Sequence, residues 1–70
     1  MNLALSPNRL SGLHYHRTNR KPKITLIHLG AAIGVSTSTM ARIENGEIAL
    51  KLRDAVTIAK LLGVPVDALL

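Results

Sequence analysis

The feature that most constrains this chain is a segment of eighteen residues, 29–46, that holds two amphipathic helices and the tight turn between them. Leu29 and Ile33 lie four residues apart and would share one face of the first helix. Gly34 follows at once, and glycine adopts the left-handed backbone that ends a helix at the lowest cost. The first helix is therefore predicted to stop at Ile33.

The second helix of the pair is predicted to start one residue after a serine. Ser36 can accept a hydrogen bond from the amide of Thr39, which is the usual way to cap a helix. Met40 and Ile43 repeat at helical spacing and would face inward, and an Asn-Gly pair closes the unit. Two short helices joined by a turn that contains glycine are typical of a helix-turn-helix.

The rest of the chain also has helical spacing, and no strand alternation or repeat interrupts it. Five helices are predicted, at about residues 6–16, 26–33, 37–45, 52–62 and 65–70, the first with Ser6 and Pro7 at its start and Gly12 as a weak point. The inward positions are expected to be Leu10, Leu13 and the stem of Arg17, then Leu29 and Ile33, Met40 and Ile43, and finally Leu52, Val56, Ala59 and Leu62, with Tyr15 partly buried. Gly30 and Ala31 are small enough for a close helix approach. We expect an all-α, compact five-helix bundle.

Length and composition exclude several classes of protein. Seventy residues make one small domain, 1–70. The chain has no cysteine, which excludes disulfides, thiolate zinc sites and cysteine catalysis. No nucleophile-base set or phosphate loop suggests an enzyme, and no cofactor is expected. No apolar run approaches the roughly 20 residues of a membrane span, and the first residues do not resemble a secretion signal, so a cytoplasmic location is expected.

The net charge of +5 is unevenly distributed along the chain. The first 43 residues contain no acid, and all four acids follow. The basic residues of that first part are Arg9, Arg17, Arg20, Lys21, Lys23 and Arg42. A basic half is typical of a face that binds a polyanion, although a solvated surface is the alternative.

Four of these basic residues fall in a connection without apolar residues. Residues 17–23 read R-T-N-R-K-P-K, and Pro22 disfavours helix at the residue before it. An exposed, basic, mobile connection is expected, able to reach phosphates. Its candidate contacts are Arg17, Arg20, Lys21 and Lys23. A solubilising loop that points away from nucleic acid is the alternative.

The sequence G-V-S-T-S-T-M-A-R-I-E-N-G at residues 34–46 is similar to the recognition segment of the Xre/Cro-like helix-turn-helix family, the fold of the lambdoid phage repressors. The sequence T-I-A-K-L-L-G-V-P-V-D-A-L-L at residues 57–70 resembles the end of the family's fourth helix, its Gly-Val turn and its fifth helix. The similar part covers about residues 25–70. Residues 17–24 resemble an insertion into the family's short first connection.

The resemblance implies a sequence-specific DNA-binding transcriptional regulator, expected to be a repressor that acts as a homodimer on a pseudo-palindromic site in double-stranded DNA. The alternative is a protein-interaction module of the same fold, such as an antitoxin-like partner or an adaptor with weak sequence preference. In the family, the region of the fifth helix often forms the dimer, which makes Val66, Leu69 and Leu70 the candidate interface.

The resemblance also implies which residues read DNA. Positions equivalent to Thr37, Ser38 and Arg42 commonly meet base edges, Ser36 lies near a phosphate, and Thr39 lies close to the turn. Arg42 also suits this role chemically, because its guanidinium can bond both O6 and N7 of guanine. Its alternative is a surface ion pair with Glu44 or Glu47.

At the end of the recognition helix, Asn45 and Gly46 resemble the family's closing pair, whose loop amides often approach phosphate. A simple helix cap is the other interpretation. For Glu44 the resemblance implies pairing with an arginine. Leu26 departs from the glutamine common in the family, so Leu26 and Ile27 either pack against the N-terminal segment or mark a protein contact.

The histidines allow a metal site or a pH switch in principle. His14 and His16 flank Tyr15, and His28 lies farther along. Because residues two apart on a helix point in different directions, a metal site is not expected. Phosphate-facing surface histidines are the favoured interpretation.

Overall fold

The computed structural model describes residues 9–70, which fold into four α-helices followed by a 3₁₀ turn. The helices are α1 (Ser11–Thr18), α2 (Leu26–Ile33), α3 (Thr37–Glu44) and α4 (Leu52–Leu62), and the 3₁₀ turn spans Val66–Leu69. Helix α2 packs against α3 and α4, while α1 lies on the 3₁₀ turn and on α3. The all-α prediction is confirmed.

The prediction of a fifth α-helix is wrong, because Val66–Leu69 form a 3₁₀ turn. The amide of Ala68 donates to the carbonyl of Pro65 at 3.0 Å, and that of Leu70 to Asp67 at 3.3 Å. Both bonds span three residues, which is the 3₁₀ pattern. Pro65 is the residue before the turn, and each bond that forms after it closes over three residues instead of four.

Local end signals place the middle helices as predicted. The hydroxyl of Thr25 accepts from the amide of His28 at 3.1 Å at the start of α2, and Gly34 ends this helix with φ of 77°. Gly63 ends α4 with φ of 72°. Helix α3 stops at Glu44, one residue before the predicted end, with Asn45 as its C-cap.

The start of α1 differs from the prediction. Ser6 and Pro7 lie outside the described residues, but Arg9 and Leu10 are not helical, and Leu10 holds the N-cap position without a side-chain cap. The amide of Leu10 instead donates to the carbonyl of Glu44 at 2.9 Å. This long-range bond holds Leu10 against the end of α3, and α1 begins only at the next residue, Ser11.

One core, lined by leucine, isoleucine, alanine and methionine, joins all the elements. Its buried members are Leu10, Leu13, Ile24, Leu29, Met40, Ile43, Leu50, Ala55, Ile58, Ala59, Leu62 and Leu69. Tyr15 is 58% exposed, and its ring contacts that of His16 edge-on with centroids 5.1 Å apart, so the expected partial burial is wrong.

The buried face of α4 is rotated from the expected one. Ala55, Ile58, Ala59 and Leu62 form the inward stripe, whereas Leu52 is exposed and Val56 only half-buried. Leu50 lies before the helix and is buried, so it belongs to the core in which Leu52 was expected.

Two glycines bring backbones close together. A Cβ at Gly12 would lie 1.9 Å from the carbonyl oxygen of Ala68, and the Gly12 amide donates to the carbonyl of Leu70 at 3.1 Å. A Cβ at Gly30 would lie 2.7 Å from the carbonyl oxygen of Val35. Ala31 is exposed and has no such role. Gly12 thus closes α1 onto the 3₁₀ turn.

Candidate nucleic-acid interface

Helix α3 is fixed by one face and free on the other. Met40, Ile43 and Glu44 are buried against the rest of the domain. The exposed side chains at its start, middle and end are Ser36, Thr37, Ser38, Arg42 and Asn45, while Thr39 and Ala41 are half-buried. A rigid helix with a polar outer face and one arginine has the form that enters a major groove.

Hydroxyl groups cluster at the start of α3. The Ser36 hydroxyl accepts from the Thr39 amide at 3.1 Å, which confirms the predicted cap. Ser36 also donates to the Thr39 hydroxyl at 3.0 Å, and its oxygen lies 3.2 Å from that of Ser38. Thr39 thus takes part in the cap through its amide and its hydroxyl oxygen, and the Ser38 side chain is exposed.

Arg42 projects from the middle of the exposed face without an acidic partner. Both ion pairs within residues 9–70 belong to Glu44, whose partners are His14 and Arg17. The alternative in which Arg42 pairs with Glu44 or Glu47 is therefore wrong. Its guanidinium retains its donors for an external acceptor.

The end of α3 is closed by its own backbone. The amides of Asn45, Gly46 and Glu47 donate to carbonyls of α3 at 3.0, 3.1 and 2.8 Å, and Gly46 has φ of 82°. Because these amides are already engaged, the helix-cap interpretation is confirmed for the backbone. The Asn45 side chain is exposed at this end of the helix.

Behind the exposed face, a buried carboxylate ties α3 to α1. The Arg17 guanidinium donates from Nε to Oε2 of Glu44 at 2.9 Å and from Nη2 to Oε1 at 3.0 Å. Nδ1 of His14 lies 2.6 Å from the same Oε1. Burial alone would raise the pKa of Glu44, but the bonds from Arg17 and His14 outweigh it and hold this pKa below its ordinary value. The expected pairing of Glu44 with an arginine is confirmed.

The predicted phosphate contacts in the basic connection are not equivalent. Arg17 lies in α1, half-buried and bonded to Glu44, so its expected place in an exposed connection is wrong. Arg20 donates to the carbonyl of Leu62 at 3.2 Å, which caps the end of α4. Lys21 and Lys23 are exposed. With Thr18, Asn19 and Arg20 they line an open cavity of about 330 Å³.

The residues expected at a dimer interface differ in how exposed they are. Leu69 is fully buried within its own chain and has no surface to offer a partner. Val66 is half-buried against the core, and Leu70 is 63% exposed. At the start of α2, Leu26 packs against the core, while Ile27 is 68% exposed.

Sequence reasoning missed His14 as a partner of Glu44. His14 does lie at the surface, with its side chain 48% exposed, but its Nδ1 is bonded to Glu44. His14 and Arg17 lie three apart on α1 and hence on one face, a signal present in the sequence. Within residues 9–70, no group of three or more His, Asp or Glu side chains could hold a metal ion. No helix there is long and apolar enough to cross a membrane.

Comparison with known families identifies this arrangement. The family model HTH_3, described as helix-turn-helix, matches residues 18–69, from the end of α1 through the 3₁₀ turn. No curated protein and no solved structure matches the chain.

Proposed function

The chain belongs to the HTH_3 family of Xre/Cro-like helix-turn-helix domains, which bind DNA and are not enzymes, and from this premise we propose that it is a sequence-specific transcriptional regulator. It acts as a repressor that occludes a promoter as a homodimer. A regulator works where the DNA is, which we propose to be the cytoplasm.

The observation that carries this proposal is the exposed face of α3. Its inner face is held by the core and by the Glu44 bonds, so the outer face keeps a fixed orientation. Arg42 has no acidic partner within the described chain and projects from that face. A preorganised arginine on a recognition helix is the side chain that most often reads guanine in the major groove.

The other polar residues differ in side-chain length and in their position along α3, and these differences assign them different DNA contacts. Thr37 and Ser38 bond base edges through water or touch a thymine methyl group, because their side chains are short. Ser36, Thr39 and Asn45 lie at the two ends of α3 and meet the phosphate backbone there. Lys21 and Lys23, with Arg20 beside them, supply further phosphate contacts. We assign Arg17 to the fold, since its guanidinium is bonded to Glu44.

Dimerisation follows from how little one copy reads. One arginine and two short hydroxyl side chains distinguish few base pairs, whereas two copies about 34 Å apart read two half-sites. The exposed Leu70 and the outer part of Val66 form the proposed interface. Leu69 supports it from within the core.

Selection of bound sites from random duplex DNA, read by sequencing, tests the proposal. We expect an enriched motif of two inverted half-sites with centres one helical turn apart. Enrichment of a single half-site would contradict the dimer, and the absence of any enriched motif would contradict sequence-specific binding.

A second candidate function rests on Ile27. This large apolar side chain is 68% exposed in the first turn of α2, and a contact with another protein would cover it. In that case the domain is an antitoxin-like partner or an adaptor. A stable complex with another chain, together with DNA binding without sequence preference, would favour this function.

A further inference from the structure

We propose that Asn45 is a modification site, at which Asn45 and Gly46 cyclise with loss of the side-chain amide as ammonia, and that the closed end of α3 holds this reaction back. The sequence places a glycine directly after an exposed asparagine. Glycine has no side chain to hinder the approach of its own amide nitrogen, and its backbone is the most freely rotating. The consequence for DNA rests on the function proposed above, but the reaction itself is tested without DNA.

The reaction needs only these two residues and water. The backbone nitrogen of Gly46 attacks Cγ of Asn45, and the new N–Cγ bond closes a five-membered succinimide ring. The bond from Cγ to the side-chain nitrogen breaks, and this nitrogen leaves as ammonia with the proton that the Gly46 amide gives up. Water then opens the ring. Attack of water at Cγ gives aspartate, and attack at the backbone carbonyl gives isoaspartate, in which the chain runs through Cγ.

The backbone of the folded protein keeps the reacting atoms apart. A five-membered ring requires the Gly46 nitrogen to lie on the same side as Cβ of Asn45, viewed along the bond from Cα to the carbonyl carbon. Asn45 has ψ of −3°, which places the Gly46 nitrogen beside the Asn45 nitrogen instead. Because the substituents of the tetrahedral Cα are about 120° apart in this view, ψ must rotate by about that angle before the ring can close.

Hydrogen bonds at the end of α3 oppose this rotation. The Gly46 amide, which is the attacking group, donates to the carbonyl of Ile43 at 3.1 Å, and the Glu47 amide donates to that of Arg42 at 2.8 Å. A rotation of ψ at Asn45 moves both amides away from their acceptors. The last turn of α3 must therefore open first. Such local openings at helix ends cost less free energy than unfolding of the whole domain.

The product places a negative charge where the structure suits a neutral group. Asn45 is the C-cap of α3, where the last carbonyls carry partial negative charge that a carboxylate would oppose. The exposed Glu47 lies two residues further along. In the proposed complex Asn45 meets the phosphate backbone, which a carboxylate repels. The modification therefore weakens DNA binding in those molecules whose α3 has opened at its end.

The first test follows the reaction in the wild-type protein, folded in buffer and unfolded in guanidinium at the same neutral pH. Trypsin cleaves after Arg42 and Lys51, so mass spectrometry of peptide 43–51 measures the conversion of Asn45. We expect the folded protein to react at least about tenfold more slowly than the unfolded chain. Equal rates would show that the end of α3 gives no protection, and no conversion in guanidinium would show that the site does not react. Either result would overturn the proposal.

Two variants separate opening of α3 from unfolding of the whole domain. Glu44→Gln removes the carboxylate that ties the end of α3 to Arg17, whereas Leu69→Ala removes a buried side chain from the 3₁₀ turn, which packs on α1 and α4. The two are compared at guanidinium concentrations that give the same free energy of unfolding. Asn45 should react at least about threefold faster in Glu44→Gln. Equal rates would mean that the reaction follows global unfolding, and would overturn the role of the α3 end.

Affinity for the selected DNA site measures the consequence. Asn45→Asp carries the charge of the product, and Asn45→Ala is the control that removes the side-chain bond without adding charge. We expect Asn45→Asp to bind about three- to tenfold more weakly than the wild type, and more weakly than Asn45→Ala. Equal affinity of Asn45→Asp and the wild type would overturn the effect on DNA. If no protein binds DNA but the folded and unfolded rates differ, the proposed function fails and the modification site stands.

Discussion

The Arg17 guanidinium and the Glu44 carboxylate meet at two points, Nε to Oε2 at 2.9 Å and Nη2 to Oε1 at 3.0 Å, although 27 residues separate them in the chain. Both side chains are largely shielded from water. Glu44→Gln leaves the Arg17 charge half-buried without its partner, and we expect a loss of about 2 to 4 kcal/mol in the free energy of unfolding at pH 7. Urea unfolding measures it, and the exposed Glu47→Gln is the control expected near zero.

The same pair predicts a specific acid response. Because the folded pKa of Glu44 is lowered below its ordinary 4.5, its contribution is present above that value and is lost as pH falls through the folded pKa. The stability difference between wild type and Glu44→Gln should therefore shrink as the pH falls below 4.5. A difference that stayed constant over that range would contradict the assignment of the low pKa to this bond.

Gly12→Ala should destabilise the domain even though alanine favours helix. The new Cβ would meet the Ala68 carbonyl oxygen at 1.9 Å, so the 3₁₀ turn must move away from α1. Overpacking of this kind costs about 1 to 3 kcal/mol, more than the roughly 1 kcal/mol that alanine adds in helix propensity. The exposed Ser11→Ala, one residue earlier, is the control. Thermal unfolding that showed Gly12→Ala as stable as wild type would refute the close contact.

Arg42→Ala should weaken binding to the selected DNA site by about 1 to 3 kcal/mol and relax the preference at one base pair per half-site. The folded state should be unaffected, because Arg42 is exposed and makes no ion pair within residues 9–70. Fluorescence anisotropy on the specific site and on random duplex separates the two contributions. Equal losses on both DNAs would assign Arg42 to the phosphate backbone.

Lys21→Gln with Lys23→Gln should flatten the dependence of log affinity on log salt by up to about 2 units, since each phosphate contact contributes about 0.9. Both lysines are exposed, so the fold should tolerate the change. Specific and random DNA should be affected alike, because phosphates carry no sequence information. Lys60→Gln is the control of the same charge type. An unchanged slope in the double variant would show that the connection points away from DNA.

Leu70→Asp should lower the dimer content and leave the unfolding free energy of the monomer nearly unchanged, because this side chain is 63% exposed. Leu69→Ala should lower the unfolding free energy by about 2 to 5 kcal/mol, as expected for a buried leucine, and leave the dimer content of the folded protein nearly unchanged. Sedimentation and urea unfolding on both variants make the comparison. If Leu70→Asp leaves the monomer-dimer balance intact, the interface lies elsewhere, and Ile27 is the next candidate.

The parts of the fold that could be predicted from the sequence depend on neighbouring residues. Thr25 and Ser36 cap their helices by accepting bonds from amides three residues ahead, and Gly34 and Gly63 end helices through their own backbone angles. Such signals act within one turn, so both bounds of α2, the start of α3 and the end of α4 follow without tertiary information. The outward face of α3, with Arg42 on it, follows from the inward spacing of Met40 and Ile43.

What the tertiary structure decided involves residues far apart in the chain. The bond from Leu10 to the end of α3 sets where α1 begins, and Gly12 is required by the approach of Ala68. His14 and Arg17 are bonded to Glu44, which lies 30 and 27 residues away in the chain and comes within bonding distance only when α1 packs against α3. Helical spacing determines which side chains share a face of a helix. Which residues of another element contact that face depends on tertiary packing, because those residues are far away in the chain.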